Sequence, residues 1–148
     1  MNFKGLIFGI PREILSGERR IAVIPETVRK LTGQNAVVLI EKNAGDNSYY
    51  SNNDYREAGA EIIDDVEDIY NKSDMILKVK EPMFNEKKEK HEVQMMRKGQ
   101  YLLSAGKDQP SVFLCKIPPC CRGFVMVFGH DPACRVVSQG YDHFRLDH

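Results

Sequence analysis

Short apolar runs alternate with helical segments along the first two thirds of this chain, and that alternation restricts the folds open to it. Five runs have the length and the isoleucine, leucine and valine content of buried strands: residues 6–10, 36–41, 61–63, 75–80 and 101–103. Strands that alternate with single helices form βαβ units with right-handed crossovers. The sequence therefore predicts an α/β fold with a doubly wound, mostly parallel sheet. The nearly continuous apolar run 75–80 favours a central place in it.

Four helical segments are predicted between the strands. The residues that mark the starts of the first three are Pro25, Ser51 with Asp54, and Asp64 or Asp65. Ile24 is a poor cap for the first helix, and Gly59 is predicted to end the second. The fourth helix is predicted over residues 85–97, where the interspersed lysines and glutamates are typical of a solvated helix face.

Composition narrows the classes of function. The chain has 148 residues, which suits one domain with a hydrophobic core. Because 21 basic residues balance 21 acidic ones, no net positive field favours a nucleic acid. The apolar run 6–10 is too short for a membrane span or a signal peptide. The sequence therefore predicts a cytoplasmic chain that neither binds nucleic acid nor inserts directly into a membrane.

Two cationic residues lie where a doubly wound sheet binds its ligands, just beyond the carboxyl ends of the strands. Arg20 belongs to the long polar loop after the first strand, and Lys80 ends the fourth. If the two converge, a guanidinium and an ammonium could hold the carboxylate and carbonyl oxygen of a small keto acid. The alternative is that each is solvated or paired with a neighbour such as Glu18 or Glu81.

A family resemblance appears at these same residues. The segments 9–13, 17–22 and 25–31 resemble the opening of alanine dehydrogenases and of the alpha subunit of NAD(P) transhydrogenases. Further co-linear matches follow at residues 41–45, 54–62, 76–82 and 97–100. Residues 1–104 thus resemble the N-terminal domain of this family. The resemblance implies a flavodoxin-like or Rossmann-like fold. In the dehydrogenase branch of the family, it places Arg20 and Lys80 at the positions that bind the keto-acid substrate.

Within the family, segments 25–31 and 90–96 look like transhydrogenase alpha subunits, and this branch is favoured. The resemblance then implies hydride transfer between NADH and NADP+, coupled to proton translocation in the intact enzyme. The implied cofactors are NAD and NADP. The implied partners are a second copy in a homodimer, or other transhydrogenase subunits that hold the chain at the inner face of a membrane.

Two other interpretations stay open. One is the substrate domain of an alanine dehydrogenase, which deaminates L-alanine to pyruvate with NAD, although Lys107 stands where that branch has its histidine. The other is a non-catalytic binding or assembly module that docks on a partner. Residues 1–148 contain no Gly-x-Gly-x-x-Gly turn to cradle a pyrophosphate. The chain alone is therefore expected to bind no cofactor and to be catalytically incompetent.

The composition changes after residue 104. All four cysteines and four of the seven prolines lie in residues 105–148, where no helix or strand pattern persists. The sequence predicts an irregular tail over 105–148, and an out-of-frame translation would explain it, in which case another frame of the coding DNA carries homologous sequence. Zinc is not predicted, because the candidate ligands lack a Cys-x-x-Cys pair. Those candidates are Cys115, Cys120, Cys121, His130 and Cys134.

Overall fold

A six-stranded sheet lies at the centre of the computed structural model, which describes residues 2–105 and the backbone of residues 112–116. Its strands are β1 (Ile7–Ile10), β2 (Val37–Glu41), β3 (Glu61–Ile63), β4 (Met75–Lys78), β7 (Tyr101–Ala105) and β8 (Val112–Lys116). Two further strands, β5 (Phe84–Asn85) and β6 (Lys90–His91), form a separate hairpin. The sheet order is β3-β2-β1-β4-β7-β8, and the first five of these strands are parallel. The predicted α/β fold with a mostly parallel sheet is confirmed, and β4 lies centrally between β1 and β7.

The helices are α1 (Pro25–Thr32), α2 (Asn52–Glu57), α3 (Val66–Lys72) and α4 (Glu92–Met95), with a short 3-10 turn at Asp46–Ser48. The predicted start of α2 is confirmed. The Ser51 hydroxyl accepts from the Asp54 N–H, and the Asp54 carboxylate accepts from the Ser51 N–H in return. Asp65 caps α3 by accepting from the Glu67 N–H. Ile24 makes no side-chain cap, as expected of an apolar residue.

Both faces of the sheet are covered, and β2 shows how its sequence requires this. Val38 and Ile40 belong to the hydrophobic cluster beneath α1 and α2, whereas Leu39 between them belongs to the cluster beneath α3. Successive side chains of a strand point to opposite faces, so a strand buried on both faces is apolar throughout. The continuous apolar runs of the sequence are a direct consequence of this arrangement.

The prediction of a helix over residues 85–97 is wrong. This segment forms the antiparallel hairpin β5–β6 followed by the single-turn helix α4. The Asn85 side-chain oxygen accepts from the Lys88 N–H at 3.2 Å, and Glu89 has a left-handed φ of 52°. A side-chain hydrogen bond to the backbone and a left-handed residue both favour a tight turn over a helix. The alternation of lysine and glutamate is therefore a poor guide to secondary structure here.

The strand β8 departs from the prediction that no strand follows residue 104. Its backbone pairs antiparallel with β7, from Ala105 opposite Val112 to Tyr101 opposite Lys116. The rest of the predicted irregular tail, residues 106–111 and 117–148, lies outside the described residues. Among the residues that are described, no helix combines the length and apolar character needed to cross a membrane.

Candidate functional site

The sheet has a topological switch point between β1 and β4. From β1 the chain builds β2 and β3 on one side, then crosses over to build β4 and β7 on the other. In doubly wound sheets, ligands bind beyond the carboxyl ends of the strands at such a point. Arg20 lies in the loop after β1, and Lys80 follows β4 by two residues.

Arg20 and Lys80 meet at the carboxylate of Glu18. The Arg20 Nε and Nη2 donate to the two carboxylate oxygens of Glu18 at 2.8 and 2.7 Å. The Lys80 Nζ lies 4.0 Å from Glu18 Oε2. The Glu18 side chain is 6% exposed, whereas that of Arg20 is 65% exposed. The structure thus brings the two sequence-predicted residues together and also pairs Arg20 with Glu18. We call these three residues the Arg20–Glu18–Lys80 cluster.

Hydrogen bonding to Arg20 lowers the pKa of Glu18 to about 2 from the ordinary value of 4.5, against the opposing effect of burial. A depressed folded-state pKa contributes stability that is present above pH 4.5 and is lost as the pH falls through about 2. Glu18 therefore stays ionised throughout the physiological pH range, and its charge offsets one of the two cations.

The Arg20→Gln variant is expected to raise the pKa of Glu18 from about 2 toward 4.5, because the bidentate hydrogen bond and the positive charge are both removed. Titration of the Glu18 side-chain carboxyl by carbon-13 NMR measures this shift. Arg29→Gln, on α1, is the matched control and should leave the Glu18 titration in place. An unchanged pKa in Arg20→Gln would contradict the ion pair between Arg20 and Glu18.

Glu13 fixes the backbone at Lys80. Its carboxylate accepts from the Val79 N–H at 2.6 Å and from the Lys80 N–H at 3.3 Å. These donors follow the end of β4, where the ladder with neighbouring strands no longer satisfies them. Burial is the largest influence on the Glu13 carboxyl and raises its pKa, although the nearby Lys78 ammonium and the two backbone donors oppose the shift. The β1 loop thus holds the β4 loop through a buried carboxylate.

A buried triad of charged side chains, Glu13, Lys78 and Glu92, lies behind this contact. The Lys78 Nζ is 3.0 Å from Glu92 Oε1 and 3.4 Å from Glu13 Oε2, and all three side chains are almost fully buried. The Tyr70 hydroxyl and the Met83 N–H also donate to Glu92, at 3.1 and 2.9 Å. Buried charges need such partners to offset the loss of water.

Sequence reasoning missed this triad, although one signal was present. Lys78 is the one charged residue of the otherwise apolar strand β4, which it ends, and a charge in a strand covered on both faces needs a buried partner. Its partners Glu13 and Glu92 lie 65 and 14 residues away along the chain, so spacing could not identify them. Lys107, the four cysteines and His130 lie outside the residues whose side chains are described.

Known proteins of one family are similar to this chain. The family model described as alanine dehydrogenase/PNT, N-terminal domain, matches residues 9–110. The alanine dehydrogenase of Staphylococcus saprophyticus is 43% identical over 81 residues, which are 55% of this chain and 22% of that protein. The alanine dehydrogenase of Mycolicibacterium smegmatis is 37% identical over 99 residues, 67% of this chain and 25% of that protein. The chain thus spans about a quarter of these relatives.

Two solved structures are similar. An L-alanine dehydrogenase has a TM-score of 0.61 and 32% identity, with 68% of this chain and 26% of that chain covered. A transhydrogenase from Sinorhizobium meliloti has a TM-score of 0.56 and 28% identity, with 67% of this chain and 27% of that chain covered. Both share the α/β fold of this chain over the region that is covered.

Proposed function

This chain belongs to the family of alanine dehydrogenase/PNT N-terminal domains, and we propose that its Arg20 and Lys80 bind the carboxylate and carbonyl oxygen of a small keto acid. The observation that carries the proposal is the meeting of both cations at one carboxylate, that of Glu18. A guanidinium binds carboxylates through parallel hydrogen bonds, and an ammonium adds a compact point charge. Two cations and one carboxylate leave the Arg20–Glu18–Lys80 cluster one positive charge for a ligand.

We further propose that this site is the substrate side of an alanine dehydrogenase-type oxidoreductase. The curated relatives at 37–43% identity carry that name, and the solved L-alanine dehydrogenase has a higher TM-score and identity than the solved transhydrogenase. In such an enzyme NAD supplies the hydride chemistry, while the protein places the substrate. Because Arg20 and Lys80 both follow strands at the switch point, they suit this placing role.

Residues 2–105 do not fit a dinucleotide at the turn from β1 to α1. A pyrophosphate needs backbone N–H groups at the start of the helix. At that place Pro25 has no N–H and Ile24 offers no polar side chain. We therefore assign no cofactor-binding residue in this part of the chain and derive no hydride-transfer step from it.

A transhydrogenase alpha subunit is the second candidate, supported by segments 25–31 and 90–96 and by the similar structure from Sinorhizobium meliloti. In that function the intact enzyme transfers a hydride between NADH and NADP+ and moves protons across a membrane. Its partners are a second copy or other transhydrogenase subunits. Binding of a keto acid at the Arg20–Glu18–Lys80 cluster is what separates the two candidates, because a transhydrogenase needs no keto-acid substrate.

Pyruvate binding to the full chain tests the proposed function. Titration of the nitrogen-15-labelled protein with pyruvate is expected to shift the Arg20 Nε–H and Lys80 backbone N–H signals. The Lys80→Gln variant is expected to bind pyruvate at least about tenfold more weakly, because a charge-assisted contact is lost. Lys30→Gln, an equal change of charge on the exposed surface of α1, is the matched control. Equal affinity in wild type and Lys80→Gln would overturn the proposal.

A further inference from the structure

We infer that Glu18 is a positioning residue, whose carboxylate holds the Arg20 guanidinium and the Lys80 ammonium in place so that both face one ligand. This inference rests on the proposed function, since the ligand is the one assigned there to Arg20 and Lys80. Nothing in the sequence pattern singled out Glu18 for such a role. Its contacts, its burial and the shape of its loop support it.

The Glu18 side chain lies beneath the Arg20 side chain and leaves its outer side exposed to solvent. The Glu18 carboxylate accepts three hydrogen bonds from Arg20: from the backbone N–H at 2.9 Å, from Nε at 2.8 Å and from Nη2 at 2.7 Å. The Glu18 side chain is nearly buried while the Arg20 side chain is mostly exposed. The guanidinium is therefore fixed along one edge, and its remaining donors stay on the outer side.

The local chain geometry aims Glu18 at this place. The Glu18 N–H donates to the Leu15 carbonyl at 3.1 Å, which closes a turn. Gly17 within this turn has a φ of +81°, a left-handed conformation that side chains other than glycine rarely adopt. Glu18 is thereby directed back under the following residues, and its carboxylate lies 4.0 Å from the Lys80 Nζ in the loop after β4.

Lys80 is held at both of its ends by carboxylates of one loop. Its backbone N–H donates to Glu13 at 3.3 Å, and its Nζ lies 4.0 Å from Glu18. Glu13, Glu18 and Arg20 all belong to the segment between β1 and α1. The loop between β1 and α1 therefore positions both Arg20 and Lys80, and Glu18 contacts the charged groups of both.

Positioning and simple charge predict opposite effects of removing the Glu18 charge. The Arg20–Glu18–Lys80 cluster has two positive charges and one negative charge, so Glu18→Gln raises its net charge from +1 to +2. If Glu18 acted only through its charge, an anionic ligand would bind more tightly to the variant. If Glu18 holds Arg20 and Lys80 in register, the ligand binds more weakly despite the added attraction.

The experiment measures pyruvate affinity of the full chain by NMR titration in wild type, Glu18→Gln and Glu18→Asp. Glu18→Gln is expected to bind pyruvate about tenfold more weakly. Glu18→Asp keeps the charge but withdraws the carboxylate by one methylene, and it is expected to weaken binding as well. Exchange of the Arg20 Nε–H with water should become faster in both variants. Glu61→Gln, on the edge strand β3, changes the total charge equally and should leave affinity unchanged.

The outcomes distinguish failure of the positioning role of Glu18 from failure of the proposed function. If wild type binds pyruvate and Glu18→Gln binds it equally or more tightly, the positioning role is overturned and the proposed function stands. Unchanged affinity in Glu18→Asp would overturn the positioning role in the same way, even where Glu18→Gln fails to fold. If wild type itself does not bind pyruvate, the proposed function fails and the positioning role fails with it.

Discussion

Replacement of Lys78 by methionine is expected to lower the free energy of unfolding by about 3–5 kcal/mol at neutral pH, the usual cost of removing one partner from a buried ion pair. Lys78 is the ammonium that separates the carboxylates of Glu13 and Glu92, at 3.4 and 3.0 Å. Methionine preserves most of the side-chain volume, so the decrease in the free energy of unfolding comes from loss of the charge and not from a cavity. Urea unfolding followed by circular dichroism measures it.

The pH dependence of the Lys78→Met deficit checks its cause. Burial raises the pKa of Glu13, and the Lys78 ammonium opposes that shift. Lys78→Met removes the opposing charge and therefore raises the pKa of Glu13 further. A raised folded-state pKa contributes stability that is present below the unfolded pKa and is lost as the pH rises. The deficit should therefore be smaller near pH 5 than near pH 7. Lys30→Met, which removes an exposed ion pair with Glu26, should leave the free energy of unfolding close to that of the wild type. A deficit independent of pH would argue against unpaired carboxylates as its cause.

The buried triad connects stability to the candidate site. Glu13 uses one carboxylate both to approach Lys78 and to accept the N–H groups of Val79 and Lys80. Glu92 in turn holds the Met83 N–H on the far side of the same loop. The loop that carries Lys80 is thus fixed at two points by buried carboxylates. Preorganisation of this kind reduces the ordering cost when a ligand binds.

The parallel sheet could be predicted from sequence because burial on both faces leaves a clear local signal. Strands such as β2 and β4 are nearly continuous apolar runs, and the residues that start α2 and α3 satisfy their own first turns. The prediction of a helix over residues 85–97 was wrong because short-range turn interactions at Asn85 and Glu89 decide the structure there. Alternating charged residues fit an exposed hairpin as well as an exposed helix.

The candidate site was only partly predictable for a different reason. Arg20 and Lys80 follow strand ends, so the fold alone nominated them, and their family resemblance supported the choice. Glu13 and Glu92 are selected by tertiary contacts with Lys78, which no local period encodes. The sequence identifies Glu18 only as a neighbour that can pair with Arg20, because its contact with Lys80 depends on the β4 loop. Long-range electrostatic contacts therefore mark the limit of prediction for this chain.

Gly9→Ala is expected to destabilise the chain by about 1–3 kcal/mol, the cost of overpacking a closely packed core. Gly9 lies in β1, where α3 packs directly against the strand. A Cβ at this position would overlap Ser73 Oγ and lie 2.7 Å from Ile69 Cγ2. Neither residue has open space to move into, because both are fully buried. Urea unfolding of the full chain measures the loss.

The double-mutant cycle with Ser73→Ala tests whether this overlap is the cause. The buried Ser73 Oγ has no hydrogen-bond partner among the described residues, so Ser73→Ala alone should be close to neutral or slightly stabilising. In the Ser73→Ala background the overlap with Ser73 Oγ is gone, while the contacts with Ile69 Cγ2 at 2.7 Å and with the Cβ of residue 73 at 2.9 Å remain. Gly9→Ala should therefore cost less there, with a coupling energy of about 0.5 kcal/mol or more. Strictly additive losses would show that the two residues do not meet and that α3 lies farther from β1 than these distances require.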